Sequence, residues 1–229
     1  MVSNAIGFLL FPQLTQLDLT GPFEVFARAP DTHVYLISKD LQPVTSDANL
    51  SLLPNVTFET CPRLDVICVP GGPGQIDLME DEDTLGFLRH VAEDARLVTS
   101  VCTGSLVLGA AGLLRGYQAT CHWTSLDQLS QLGAEPRQER VVWDRNRVTG
   151  AGVTSGIDFA LTVVAGLHGD EVAEMIQLSL EYDPKPPFTA GSLATASPEL
   201  SAAVRQRSAE MLERRRSATR KAAVNLGLA

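Results

Sequence analysis

The sequence predicts an α/β fold, a three-layer sandwich with a mostly parallel central sheet and a cysteine at a sharp strand-to-helix turn. Three observations predict it. Residues 6–11 are a short, continuous apolar run of the kind a buried parallel strand shows, and 65–70 and 96–101 also read as buried strands. Helical and strand patterns alternate for most of the 229 residues, as βα crossovers require, and no internal repeat points to a solenoid. Cys102 stands directly between an apolar run and an Ala/Leu/Gly-rich helical stretch.

The first strand, 6–11, is ended by Pro12. Residues 18–29 place Leu19, Phe23 and Phe26 on one helical face, and Thr20 to Pro22 mark the entry, since proline is tolerated in a first turn. A second strand is expected at 33–38, a meandering β section at 45–58, and a buried strand at 65–70 running into the turn Gly71-Gly72-Pro73-Gly74. Residues 83–94 turn Leu85, Leu88 and Val91 inward as an amphipathic helix, and 96–101 form the strand before Cys102. The helix after it, 103–114, is ended with help from Gly112 and Gly116. Then follow a helix at 125–132, a hairpin of 141–143 with 148–149, a helix at 154–167 capped by Thr154 or Ser155, and a helix at 170–182. The prolines at 184, 186 and 187 break the chain, which continues as an extended crossing and one terminal helix. The expected organisation is one domain over 1–196 with a basic helical tail over 197–229, packed on the domain or on a dimer partner.

Composition excludes several function classes. At 45% hydrophobic and 20% charged residues the chain is neither disordered nor fibrous. Its longest apolar runs fall far short of the roughly 20 residues of a membrane span, and no positive, apolar leader opens it, so a cytoplasmic protein without membrane contact is expected. Four cysteines without a CxxC pair and four scattered histidines predict free thiols and no metal. A net charge of -9 and a pI near 4.9 oppose nucleic acid as a partner. The tail dissents with seven Arg or Lys against three Glu, and reads as a solvated helix face or an arm on an acidic surface.

The chemistry concentrates at Cys102. A thiol at a strand-to-helix turn has the mechanics of a nucleophile elbow, and the helix N-terminus behind it favours thiolate, which predicts a lowered pKa. Cys61, Cys68 and Cys121 read instead as small buried hydrophobes. Gly71 and Gly72 end a core strand and are placed to aim a backbone N–H at a substrate atom beside the sulfur, with the Thr103 N–H as a second donor; an ordinary loop has the same sequence. Asp18 is either a helix-start residue capping Gly21 or an acid beside the thiol, and Thr103 and His122 have equally ordinary structural readings.

The order of motifs carries more. Residues 17–26 (LDLTGPFEVF), then Val69-Pro70-Gly71-Gly72, then Val101-Cys102-Thr103-Gly104, then 119–123 (ATCHW) resemble the ThiJ/PfpI superfamily, relatives of the class I glutamine amidotransferases, over about residues 5–182. Asp18, Cys102-Thr103, the run 151–160 (AGVTSGIDFA) and the segment 181–188 (EYDPKPPF) look like the isocyanide hydratases of that superfamily. The resemblance implies a flavodoxin-like homodimer that hydrates a small isocyanide to an N-substituted formamide without a cofactor. In that reading Cys102 is the nucleophile, Asp18 a protonated neighbour that alternates as general acid and base, and Thr103 a hydroxyl holding the carboxyl or the water. Backbone N–H groups near Gly72 meet the substrate, and Leu19, Trp123, Val153 and His122 stand around it. Thr103 in place of a histidine after the cysteine argues against a Cys-His protease dyad. The rivals are a glyoxalase or deglycase acting on 2-oxoaldehydes, in whose branches a Glu usually stands at the Asp18 position, and a ligand- or redox-sensing domain.

Overall fold

The computed structural model describes residues 4–228; Met1 to Ser3 and Ala229, at the ends of the expected domain and tail, lie outside the described residues. In chain order the elements are β1 (Asn4–Leu9), α1 (Gln16–Phe26), β2 (Thr32–Ser38), β3 (Val44–Thr45), β4 (Ser51–Leu52), β5 (Val56–Thr57), β6 (Val66–Val69), α2 (Gln75–Leu78), α3 (Glu82–Asp94), β7 (Leu97–Val101), α4 (Gly104–Ala110), β8 (Gln118–Ala119), a 3-10 helix (Leu126–Leu132), β9 (Glu135–Pro136), β10 (Val141–Asp144), β11 (Arg147–Gly150), α5 (Ser155–His168), α6 (Asp170–Ser179), α7 (Pro198–Arg207) and α8 (Ala209–Asn225).

Seven strands form the central sheet in the order β10-β11-β7-β6-β1-β2-β5. All pair in parallel except β10, which returns antiparallel on β11. β6 and β7 are buried at every residue, which is why β6 reads as a continuous apolar run; β7 carries Thr99 and Ser100, whose hydroxyls are hydrogen-bonded inside the fold. Helices α1, α5 and α6 pack together as one covering layer, and α2, α3, α4, α8 and the 3-10 helix as the other. Phe8 of β1, Phe26 of α1 and Phe159 of α5 are fully buried with ring centroids 5.9 and 6.2 Å apart, an aromatic seam that fixes α1 and α5 to the sheet.

Several boundaries differ from expectation, each for a physical reason. β1 covers 4–9 rather than 6–11 because Leu10 and Phe11, though buried, have passed the end of the ladder; apolar runs report burial, not pairing. Helix α1 begins at Gln16, so Pro22 lies inside it and not at its entry. The proline is accommodated where α1 meets α5: a Cβ on Gly156 would stand 3.0 Å from Pro22 Cδ. α4 closes at Ala110, where the Leu113 N–H donates to Leu108 O. No side-chain cap forms on α5, because Thr154 is already helical in its backbone and its hydroxyl accepts from Arg140. The tail holds two helices, α7 and α8, and α8 packs on the 3-10 helix, α2 and α4.

Candidate active site

The parallel register decides what meets at the carboxyl edge of the sheet. Since Val69 pairs with Ser100, the chain leaving β6 as Pro70-Gly71-Gly72 emerges beside the chain leaving β7 as Cys102-Thr103. The start of α1 is tied to the same edge by the Thr15 N–H, which donates to Gly71 O at 2.9 Å. An α1 that starts at Gln16 puts Asp18 in its first turn, over that junction.

Cys102 adopts φ +59°, a left-handed conformation that costs a non-glycine residue of order 1–3 kcal/mol. Its amide stabilises the bend by donating to Ala151 O (2.8 Å) and Gly150 O (3.0 Å), which also draws the turn before α5, with Val153, toward the elbow. Asp18 is fully buried. Its Oδ2 accepts the Gly71 N–H at 3.0 Å, so it does not cap Gly21, and its Oδ1 is buried without an N–H or O–H donor among the described residues. Burial pushes the Asp18 carboxyl up to about 7, with Cys102 and the Gly71 amide pulling it down and the charge of Asp47 adding a smaller push.

The Gly72 N–H donates to Thr103 Oγ1 at 3.1 Å. Gly72 therefore already has a partner, and Thr103 holds the loop rather than the carboxyl. This interlock demands two glycines. A Cβ on Gly71 would stand 2.6 Å from Thr103 N and 2.8 Å from Asp18 Oδ2; one on Gly72, at φ +128°, would stand 2.3 Å from Thr15 N.

The expectation of a lowered thiol pKa is corrected. Cys102 is 5% exposed, and burial, then the charge of Asp18, then Cys121, raise it well above the usual thiol value; the Thr103 amide only partly opposes them. A helix terminus contributes at most about 2 kcal/mol, about one and a half pKa units, whereas full burial moves a pKa by up to about 3–5 units. The resting pair is thus a neutral thiol beside a carboxyl poised near neutrality. Burial likewise lifts Cys68 and Cys121 to about 12 and Cys61 to about 11.

His122 is held neutral, its pKa pushed down to about 4 by burial and by the Arg215 guanidinium. Its Nδ1 lies 2.8 Å from Thr124 Oγ1, and its Cδ2 edge faces Gly152. Val153 and Trp123 are half-buried, while Leu19 is turned into the core. The two segments that marked the hydratase branch come together as a brace on α5: Tyr182 Oη donates to Asp158 Oδ2 at 3.0 Å and Arg140 Nε donates to the same oxygen at 2.7 Å. Two features escaped the sequence reading. The Gly71 amide, not that of Gly72, meets the acid. Arg215 of α8 is buried, with Nε donating to Gln75 Oε1 (2.5 Å) and Nη1 to Ser125 Oγ (3.0 Å); a basic tail announces charge but not which arginine turns inward.

A cavity of about 670 Å³ lies elsewhere, at the ends of β1 and β2 between Phe11, Val44 and Leu78. Among the described residues no group of three or more His, Cys, Asp or Glu stands together as a metal site, and no helix is long and apolar enough to cross a membrane.

Residues 4–166 match the DJ-1/PfpI family. The chain is 57% identical over 223 residues to a Pseudomonas putida protein named isonitrile hydratase, covering 97% of this chain and 98% of that one. The crystal structure of a ThiJ/PfpI family protein from Pseudomonas syringae is similar with a TM-score of 0.93 at 46% identity, over 96% of this chain and 91% of that chain. The HTH-type transcriptional regulator GbdR of Pseudomonas aeruginosa is 29% identical over 188 residues, 79% of this chain and 51% of the regulator.

Proposed function

The chain belongs to the DJ-1/PfpI family, and from that premise we propose that it hydrates organic isocyanides to N-substituted formamides, with Cys102 as nucleophile and Asp18 as the proton carrier beside it. The observation that carries this reading is the end-to-end likeness, at 57% identity, to a protein named isonitrile hydratase.

The site's chemistry fits each step. Ionised Asp18 takes the thiol proton as sulfur bonds to the terminal isocyanide carbon, then returns that proton to the carbon, giving a thioimidate. Water next adds to the same carbon. One water proton passes through Asp18 to the nitrogen, and the hydroxyl proton follows the same route to sulfur as the C–S bond breaks, releasing the formamide and the thiol. A carboxyl pushed up to about 7 exchanges protons in both directions near neutral pH, which an ordinary exposed aspartate does poorly. The nearly complete burial of Cys102 suits a slim, linear electrophile such as the N≡C terminus. Neutral His122 forms part of the wall and takes no part in the proton transfers, and no cofactor enters the scheme.

Purified protein incubated with cyclohexyl isocyanide should produce N-cyclohexylformamide, read by proton NMR. Consumption of methylglyoxal with no formamide from the isocyanide would instead establish the glyoxalase rival. The working form is a cytoplasmic homodimer in which residues 4–196 and the tail act as one unit. In support, α7 buries none of its residues, and Leu178 and Phe188 stand 82% and 79% exposed, apolar surface for a second copy to cover. Light scattering should give twice 24.6 kDa, and a monomer would remove the dimer.

A further inference from the structure

We propose that Arg215, on the C-terminal helix, is a positioning residue of the active site: it bolts the segment after the Gly71–Gly74 turn to the segment after His122, and holds a positive charge behind the elbow. The inference rests on the proposed function and assigns part of that site to a tail lying beyond the residues that match the family.

The geometry is specific. Nε of Arg215 donates to Gln75 Oε1 at 2.5 Å, Nη1 to Ser125 Oγ at 3.0 Å, and Nη2 to Met211 Sδ at 3.5 Å. Gln75 and Ser125 are themselves fully buried, so both acceptors are fixed. Gln75 follows directly on the turn that presents the Gly71 amide to Asp18 and the Gly72 amide to Thr103. Ser125 Oγ lies 3.5 Å from Thr124 Oγ1, which meets His122 Nδ1 at 2.8 Å. One rigid guanidinium fork therefore connects the wall that orients the acid with the wall that carries the histidine.

The charge is uncompensated by any carboxylate: all three acceptors are neutral, and Arg215 forms no ion pair among the described residues. A buried ion without a counter-charge is unfavourable where an apolar side chain would pack, so the cation points to a use beyond packing. The titratable groups its charge acts on are the Cys121 and Cys102 thiols and the His122 ring. The carboxylates nearby are committed elsewhere, Asp127 to Arg216 and Glu80 to Lys221, while Asp18 lies against Cys102. Arg215 thus favours the single negative charge that the thiol and carboxyl share during attack.

The test uses full-length wild type, Arg215→Met and Arg215→Lys, with folding followed by circular dichroism. The pH dependence of Cys102 alkylation by iodoacetamide is read by peptide mass spectrometry, alongside kcat/KM for cyclohexyl isocyanide. In folded Arg215→Met the alkylation midpoint should rise by about one pH unit, a tenfold loss of thiolate at fixed pH, and kcat/KM should fall at least as far. In Arg215→Lys the midpoint should recover most of the way, while kcat/KM stays reduced because an ammonium lacks the fork. An unmoved midpoint in folded Arg215→Met, or full turnover in Arg215→Lys, overturns the proposal; should Arg215→Met fail to fold, the lysine variant decides alone. If the wild type does not turn over isocyanide, the hydratase reading falls while the alkylation profiles still test Arg215.

Discussion

Replacing Asp18 by Asn should alter stability in a pH-dependent manner that only a buried, protonatable carboxyl produces. The folded-state pKa lies near 7 against 3.8 for a free side chain, the largest cause being burial. A raised folded pKa means that the folded state binds the proton more tightly than the unfolded one. The stability linked to this group is therefore fully present below pH 3.8, declines as pH rises to about 7, and stays constant above. From pH 5 to pH 8 the wild type should lose about 3 kcal/mol through this residue, at 1.36 kcal/mol per pKa unit. Asn carries no charge and can still accept the Gly71 N–H, so the variant escapes that loss. Relative to wild type its Tm should climb by roughly 6–12 °C between pH 5 and pH 8, at 2–4 °C per kcal/mol for a chain of this size. Thermal melts of both proteins at pH 5, 6, 7 and 8 measure it, and a constant difference across that range would mean that Asp18 does not titrate there in the folded protein. Activity should move oppositely, falling about 10²–10⁴-fold with the proposed proton carrier gone.

Gly71→Ala forces a methyl against Thr103 N and Asp18 Oδ2 and should cost about 1–3 kcal/mol in denaturant melts, with a marked loss of turnover. Thr103→Val leaves the Gly72 N–H without its acceptor and should destabilise by about 1–3 kcal/mol in the same assay. In His122→Gln the ionisation near pH 7 in the kcat/KM profile should persist, because it belongs to Asp18 and His122 is already neutral there; its disappearance would transfer the role to the histidine.

The elbow was legible because it is local: a buried strand, a cysteine and a run of small residues need no tertiary knowledge, and the glycine turn after residues 65–70 is equally plain. Parallel pairing then brings both to one edge of the sheet. Asp18 was ambiguous for a local reason too. In sequence Pro22 marks a helix entry, whereas in the fold the helix starts at Gln16 and runs through it beside Gly156. The sequence predicts the wrong direction for the Cys102 pKa because a helix N-terminus is visible in it and the opposing desolvation is not. The net charge of the tail conceals that α8 turns Leu212, Arg215 and Thr219 inward and that the chain bends at Ser208 between two helices.

In the proposed hydration, sulfur 102 becomes covalently bonded to the isocyanide carbon before water enters. Acid quenching during turnover, followed by intact-protein and peptide mass spectrometry, should find a fraction of the protein heavier by one isocyanide, with the added mass on Cys102, and Cys102→Ala should show neither adduct nor formamide. Formamide released by Cys102→Ala at the wild-type rate would contradict the account.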